Sequence, residues 1–349
     1  MSNVVSLGLP RRPTLAQRQA LLIGNFARNR RQPDDVFWLK ENAEALNVLA
    51  SSGAMLSDNA FEPYRRIYDG LEERLHFFPQ YYRFLLSICL DLEDLGIGQS
   101  KGTALCNWVA KNGLVEAELS DLQRAEAQRL LGRRGAAAED PHLQTRLHKF
   151  IDRSETFALP NKKAAYELTH IIFYLSDYGV KDPGLNEAAI VSLEFAGLLA
   201  YLDQDVDLLA ETCVAMRFAG KSPSAIWEDW IAGQMRGFTL SDRVTGTSDA
   251  YHEYLVTSWW ALFADRPSFP GVPSQSGLHI LRHTTRRSPL RAMSECMFHL
   301  GPARSSDWSE MRQAMSDAIG VDGEDILSEA EQSSDRFDAF FEGFSRADV

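Results

Sequence analysis

Five residues of this sequence carry side chains that can hold a metal ion or move protons. His170 and Asp177 lie seven residues apart in ELTHIIFYLSDYG (167–179). Helical spacing puts both on nearly the same face, about 10 Å apart along the axis. That separation is too long for a hydrogen bond, but it suits two groups that hold one ligand together with side chains from other helices. The predicted partners are Asp207, Glu211 and His252.

The acidic residues of segment 203–211 have two interpretations, as a metal site or as the cap of a helix. Asp207 and Glu211 are four residues apart at a predicted helix start, where carboxylates are also favoured by the helix dipole. Asp203 or Asp205 can serve simply as the N-cap of that helix. The run 203–207 only approximates a magnesium cluster for diphosphate chemistry, because DLEDLG (91–96) would have to face it.

A mixed set of histidine and carboxylate ligands suits zinc or non-haem iron better than magnesium. The first functional hypothesis is therefore a metal-assisted biosynthetic or tailoring enzyme. In it His170 and His252 are ligands or acid and base groups, and Asp177 orients an imidazole or shares the ion. The predicted catalytic residues are His170, Asp177 and His252, and the predicted metal ligands are these three with Asp207 and Glu211.

Two other pairs of possible metal ligands have simpler explanations. Cys296 and His299 have a spacing that can reach zinc, but MSECMFHL equally fits a buried helix face. His279 and His283 lie beside arginines, a surrounding that disfavours a cation.

The elements that position these side chains are predicted to be helices. Apolar residues recur at helical spacing, as in 77–96 and 188–202, and period-two alternation is nearly absent. Gly96 and Gly179 are predicted to end helices in the left-handed conformation. The sequence predicts an all-α fold of about a dozen helices.

Two segments resemble each other and predict a helical-repeat array. In 82–135 and 166–220 an aromatic-rich helix, a polar loop, an apolar helix, an acidic turn and a third helix follow in the same order. A degenerate copy is predicted at 251–300. Such units stack into a solenoid or close into an α/α toroid around a central cavity, and chance resemblance of amphipathic helices is the alternative.

The predicted body spans 34–332 and is flanked by two amphipathic segments. The basic segment 1–33 docks either on an acidic partner or, more commonly for such segments, on the chain's own acidic body. The segment 333–349 carries phenylalanines at helical spacing and is predicted to dock on the body: Phe337, Phe340, Phe341 and Phe344.

Composition excludes several classes of function. The 349 residues are 45% hydrophobic, which is enough for a large core, and the net charge of −12 disfavours nucleic acids and anionic bilayers. No apolar run reaches the roughly 20 residues of a membrane span, and the polar start favours a cytoplasmic protein. The four cysteines form no CxxC pair, and the sequence has no nucleotide-binding or nucleophile-elbow motif.

The second hypothesis is a non-catalytic helical adaptor that binds a peptide or protein on an aromatic concave face. Its polar cluster would then be a buried network that fixes helix packing. Nothing in the sequence indicates the oligomeric state. The aromatic residues proposed for this face are Phe77, Phe78, Tyr81, Tyr82, Trp259 and Trp260.

Several of these residues also carry a family resemblance. LTHxxFYxxDYG (168–179), DLLxE (207–211) and the pair Tyr251-His252 occur in that order, as in uncharacterised bacterial helical proteins of biosynthetic neighbourhoods. Together with DDVFWLKENAE (34–44), they make the chain similar to a domain-of-unknown-function family of marine alphaproteobacteria. The resemblance implies one polar constellation but no established activity. This chain has Glu253 and Tyr254 where the pattern has small hydroxyl residues.

Overall fold

A computed structural model of the chain describes residues 12–98, 100–137, 140–243, 249–283 and 288–347. Residues 1–11 of the predicted basic segment and 348–349 of the predicted C-terminal helix lie outside the described residues.

Helices dominate the described residues, which confirms the predicted all-α class. The helices are α1 (Leu15–Arg28), α2 (Val36–Ser51), α3 (Arg65–Asp69), α4 (Leu71–Phe77), α5 (Tyr82–Leu95), α6 (Gly102–Lys111), α7 (Asp121–Gly132), α8 (Pro141–Ile151), α9 (Ser154–Phe157), α10 (Lys162–Leu175), α11 (Glu187–Leu202), α12 (Val206–Phe218), α13 (Ala225–Met235), α14 (Tyr251–Phe263), α15 (Leu290–Leu300), α16 (Trp308–Ile319), α17 (Val321–Ser333) and α18 (Phe337–Ser345). Short 3₁₀ segments occur at Asp58–Tyr64, Pro79–Tyr81 and Gly301–Ala303.

The described part of the chain has one small sheet. Strands β1 (Phe238–Ser241) and β2 (His279–Arg282) pair antiparallel, with Phe238 opposite Arg282 and Ser241 opposite His279. Each strand is only four residues long, so its alternating pattern is too short to stand out among helical periodicities.

Helices α11 and α12 form the centre of the molecule. α11 has apolar residues on nearly every side and is buried over most of its length, as expected of a helix surrounded by others. It lies so close to α13 that a Cβ on Gly197 would be 2.5 Å from the Trp227 ring. α12 contacts α10, α11, α13 and α14, so its side chains can meet residues from several helices.

The ends of the two predicted repeat units differ in conformation. Gly96 has a φ of 101° and directly follows α5, as predicted. α10 instead ends at Leu175, and Asp177, Tyr178 and Gly179 all have positive φ. The predicted helix end at Gly179 is therefore wrong by several residues. Each of the two segments contains three helices, α5 to α7 and α10 to α12, while the repeat and its solenoid or toroid arrangement stay predictions.

Both terminal helices pack on the body. In α1, Leu22, Ile23 and Phe26 are buried, and Asn25 donates to the carbonyl of Ser274 (2.7 Å). The four predicted phenylalanines of α18 are all buried.

The six aromatic residues proposed for a concave face do not form one exposed surface. Tyr82, Trp259 and Trp260 are buried in the core, whereas Phe77 and Phe78 are exposed. Helical spacing marks which residues share a face but does not indicate whether another helix covers that face.

Candidate metal site

Three of the predicted residues come together where α12 meets α14. One ligand atom from each of Asp207, Glu211 and His252 lies within 4.8 Å of the other two. Asp207 and Glu211 are one helical turn apart on α12, and His252 belongs to the first turn of α14. Within the described residues, this is the one group of three or more histidines, cysteines and acids with such close atoms.

Asp207 is held by hydrogen bonds to both carboxylate oxygens. The Tyr166 hydroxyl donates to Oδ2 (2.8 Å), and Nδ1 of His252 lies 2.9 Å from Oδ1. The neighbouring Asp205 caps α12 by accepting from the backbone N–H of Leu208 (3.2 Å). This agrees with the N-cap interpretation of the acidic run and leaves Asp207 available for the site.

Glu211 is the most buried member of the group, with 2% of its surface exposed. The Thr169 hydroxyl donates to its Oε2 (2.6 Å), and Nδ1 of His170 is 3.5 Å from the same oxygen. A carboxylate in such a position needs a nearby positive charge or a proton, because burial removes its hydration.

The protonation of the three residues follows from their surroundings. Burial raises the pKa of Glu211, and the negative charge of Asp207 raises it further. Burial would also raise the pKa of Asp207, but the hydrogen bond and charge of His252 outweigh it and the pKa is lowered. Burial opposes the charged form of His252, yet Asp207, Glu44 and Glu211 raise its pKa to about 9. The imidazolium thus balances negative charge that a metal cation can also balance.

His170 lies beside this group. Its Nδ1 is 2.8 Å from the carbonyl oxygen of Tyr166, so Nδ1 carries the proton and donates it. Nε2 is the ring nitrogen that this hydrogen bond leaves available, an orientation found in metal-binding histidines whose other nitrogen donates to a carbonyl. Its side chain is 34% exposed, so solvent and small molecules can reach it.

Asp177 does not join the group. Because α10 ends at Leu175, the helical spacing that placed Asp177 on the face of His170 does not extend to it. Its Oδ1 accepts from Nε of Arg129 (2.7 Å), and the Arg129 guanidinium stacks on the Tyr178 ring (4.2 Å). The Arg129 guanidinium therefore balances the negative charge of the Asp177 carboxylate.

We expect Asp177→Asn to leave metal binding unchanged and to lower the free energy of unfolding by about 1 kcal/mol, because it breaks only a partly exposed ion pair. Urea denaturation and a metal titration on the same protein measure both quantities. A tenfold or larger loss of metal affinity would place Asp177 in the site after all.

Two further residues, Glu44 and Tyr166, contact the group, although the sequence analysis did not predict them. Oε1 of Glu44, on α2, lies 3.9 Å from Nε2 of His252. Tyr166 lies four residues before His170, so its position on the same face of α10 was a signal for its role. Glu44 had no such signal, since only the packing of α2 against α14 brings it near.

Cys296, His299 and His279 lie outside this group. The thiol of Cys296 lies 3.6 Å from the carbonyl oxygen of Ala314, and His299 is exposed. Nδ1 of His279 is 2.8 Å from Asp249 in a network that contains arginine.

Comparison with known proteins identifies the family. A family model described as a domain of unknown function (DUF6902) matches residues 1–347, so the chain belongs to this family, which confirms the predicted membership of a domain-of-unknown-function family. Comparisons with curated proteins and with solved structures gave no match. No helix of the described residues is long and apolar enough to cross a membrane.

Proposed function

We propose that this member of the DUF6902 family binds a divalent transition metal ion, zinc or iron(II), through Asp207, Glu211 and His252, and that the ion assists a reaction on a small molecule. The observation that carries the proposal is the approach of three ligand atoms from two helices to within 4.8 Å of one another.

The distances suit a single ion after small movements of the side chains. Zinc and iron ligands lie about 2.0–2.2 Å from the ion, so two ligands of one ion are separated by roughly 3 to 4.4 Å. The Nδ1 to Oδ1 distance of 2.9 Å between His252 and Asp207 is already near this range. A cation would take the place of the proton that these two atoms share.

The surroundings supply orientation and access. Tyr166 and Thr169 donate hydrogen bonds to the two carboxylates and so limit their rotation, a role that outer residues commonly play at metal sites. The imidazoles of His170 and His252 are each about one-third exposed, whereas Glu211 is buried. A substrate would therefore approach from the imidazole side, where His170 Nε2 can accept or return a proton.

The proposal is tested by metal analysis of protein purified without an affinity tag. We expect about one zinc or iron per chain in the wild type, and less than about one-tenth of that in Asp207→Asn and His252→Ala, because each variant loses one of the three proposed ligands. Elemental mass spectrometry measures the content after exhaustive dialysis.

The matched control is His299→Ala, which removes an exposed histidine outside the cluster and should keep the metal. His170→Ala distinguishes a ligand from a neighbour, since a neighbouring acid or base group leaves metal content unchanged. A metal-free wild type that also gains none from added zinc or iron(II), with cluster variants that mainly melt earlier, would make the cluster a structural network and refute the proposal.

A further inference from the structure

A groove separate from the metal site lies between the end of α1 and helices α3 and α4. It has a volume of about 990 Å³, and its walls include Pro33 and Pro63. Its charged and aromatic lining consists of Arg28, Arg66, Glu73, Arg74, Phe77 and Phe78.

The groove is positively charged although the chain has a net charge of −12. Arg28 and Arg66 are exposed, and within the described residues neither has a carboxylate partner. Arg74 donates to the carbonyl oxygen of Pro33 (3.0 Å), which leaves its charge uncompensated. Three arginines thus line the groove with one glutamate, Glu73, whereas most arginines of the described body pair with acids.

An apolar anchor point adjoins these charges. Phe77 is 76% exposed and Phe78 is 43% exposed, and their rings meet edge to face with centroids 4.7 Å apart. Two large exposed aromatic rings beside free guanidinium groups have the composition of a binding surface, where aromatic residues and arginine are enriched.

We propose that this groove binds an acidic peptide segment of a partner protein, with an apolar side chain seated on Phe77 and Phe78 and carboxylates on Arg28 and Arg66. Charge complementarity selects this occupant. A long polyanion such as a nucleic acid would also meet the acidic remainder of the surface and be repelled, while a short acidic segment contacts the groove alone. Arginine recognises carboxylates with paired hydrogen bonds, which adds specificity to attraction.

The test uses a fluorescent twelve-residue peptide in which glutamates and aspartates flank a central Leu-Trp pair. We expect the full-length protein to bind it with a micromolar Kd at low salt, measured by fluorescence anisotropy, and the double variant Arg28→Glu/Arg66→Glu to bind at least about tenfold more weakly. Phe77→Ser should lower the affinity through the apolar contact, and added salt should weaken wild-type binding.

The matched control is Arg153→Glu, which reverses an exposed arginine that lines a different surface and should change the affinity less than twofold. Equal binding by the wild type and the double variant, or no binding of the acidic peptide, overturns the proposal. Concentration-dependent dimerisation that the double variant abolishes would assign the groove to a second copy of the chain and overturn it as well. None of these outcomes depends on whether the metal site is real.

Discussion

Glu211→Gln should lower the affinity for zinc or iron(II) by about 100-fold or more, while raising the free energy of unfolding of the metal-free protein by about 1 kcal/mol. The loss of affinity follows because even the partners of metal ligands typically contribute 10- to 100-fold, and Glu211 is proposed as a ligand itself. Glutamine has nearly the same shape and keeps an oxygen that accepts from Thr169.

The gain in stability follows from the sign of the pKa shift. Burial raises the pKa of Glu211 above its ordinary value of 4.5, so ionisation is harder in the folded protein than in the unfolded chain. Such a group lowers the free energy of unfolding as the pH rises through its folded pKa, because the charge then has to form in a buried position. An uncharged amide removes this cost, as expected when a residue is retained for binding at the expense of stability.

Asp207→Asn is the matched comparison for this prediction. Its pKa is lowered because His252 favours the ionised form, so its charge stabilises the metal-free fold and its removal should destabilise it. Both variants should lose metal affinity, but their free energies of unfolding should move in opposite directions. Competition with a chromogenic chelator and urea denaturation in EDTA measure the two quantities. Retained affinity in both variants would contradict the proposed site.

Local patterns predicted much of the candidate site, because the residues on one helix have fixed relative positions. The spacing of Asp207 and Glu211 along α12, and the N-cap at Asp205, follow from helix geometry alone. The choice of His252 rested on its chemical type and on the family resemblance. The structure places it against Asp207 because α14 packs on α12.

The features that sequence reasoning missed depend on contacts between distant segments. Asp177 lies beyond the end of α10, in a turn of left-handed residues. Arg129, which is 48 residues earlier in the chain, donates a hydrogen bond to it. Glu44 approaches His252 across more than 200 residues of sequence. Trp259 and Trp260 belong to a helix that other helices cover, so these residues of the predicted aromatic binding face are part of the hydrophobic core. Periodicity carries no information about such long-range neighbours.

The start of α14, which carries His252, is bound to the segment that follows α1 by a buried arginine. The Arg30 side chain is 3% exposed, and its guanidinium contacts Glu41 (2.9 Å) on α2 and both oxygens of Asp249 (3.0 and 3.2 Å). Asp249 in turn accepts from the backbone N–H of Tyr251 (3.0 Å), at the first residue of α14. One cation therefore joins the segment that follows α1, helix α2 and the start of the helix that positions His252.

We expect Arg30→Ala to lower the free energy of unfolding by about 3 kcal/mol, because it leaves the buried Glu41 carboxylate and the partly buried Asp249 carboxylate without their shared partner. Arg31→Ala is the control: Arg31 contacts the other oxygen of the same Glu41 but is 41% exposed, so its loss should lower the free energy of unfolding by less than about 1 kcal/mol.

Arg30→Lys keeps the charge but cannot bind both oxygens of Asp249, so its effect should lie between those of the two alanine variants. Urea denaturation of the four proteins measures the differences, and a chelator competition on Arg30→Lys measures metal affinity in a protein that stays folded. If the network also positions His252, that affinity falls by roughly tenfold, as for other partners of metal ligands. Equal stability of Arg30→Ala and Arg31→Ala would show that burial of this ion pair does not hold α14 in place, and His252 would then owe its position to the packing of α14 on α12 alone.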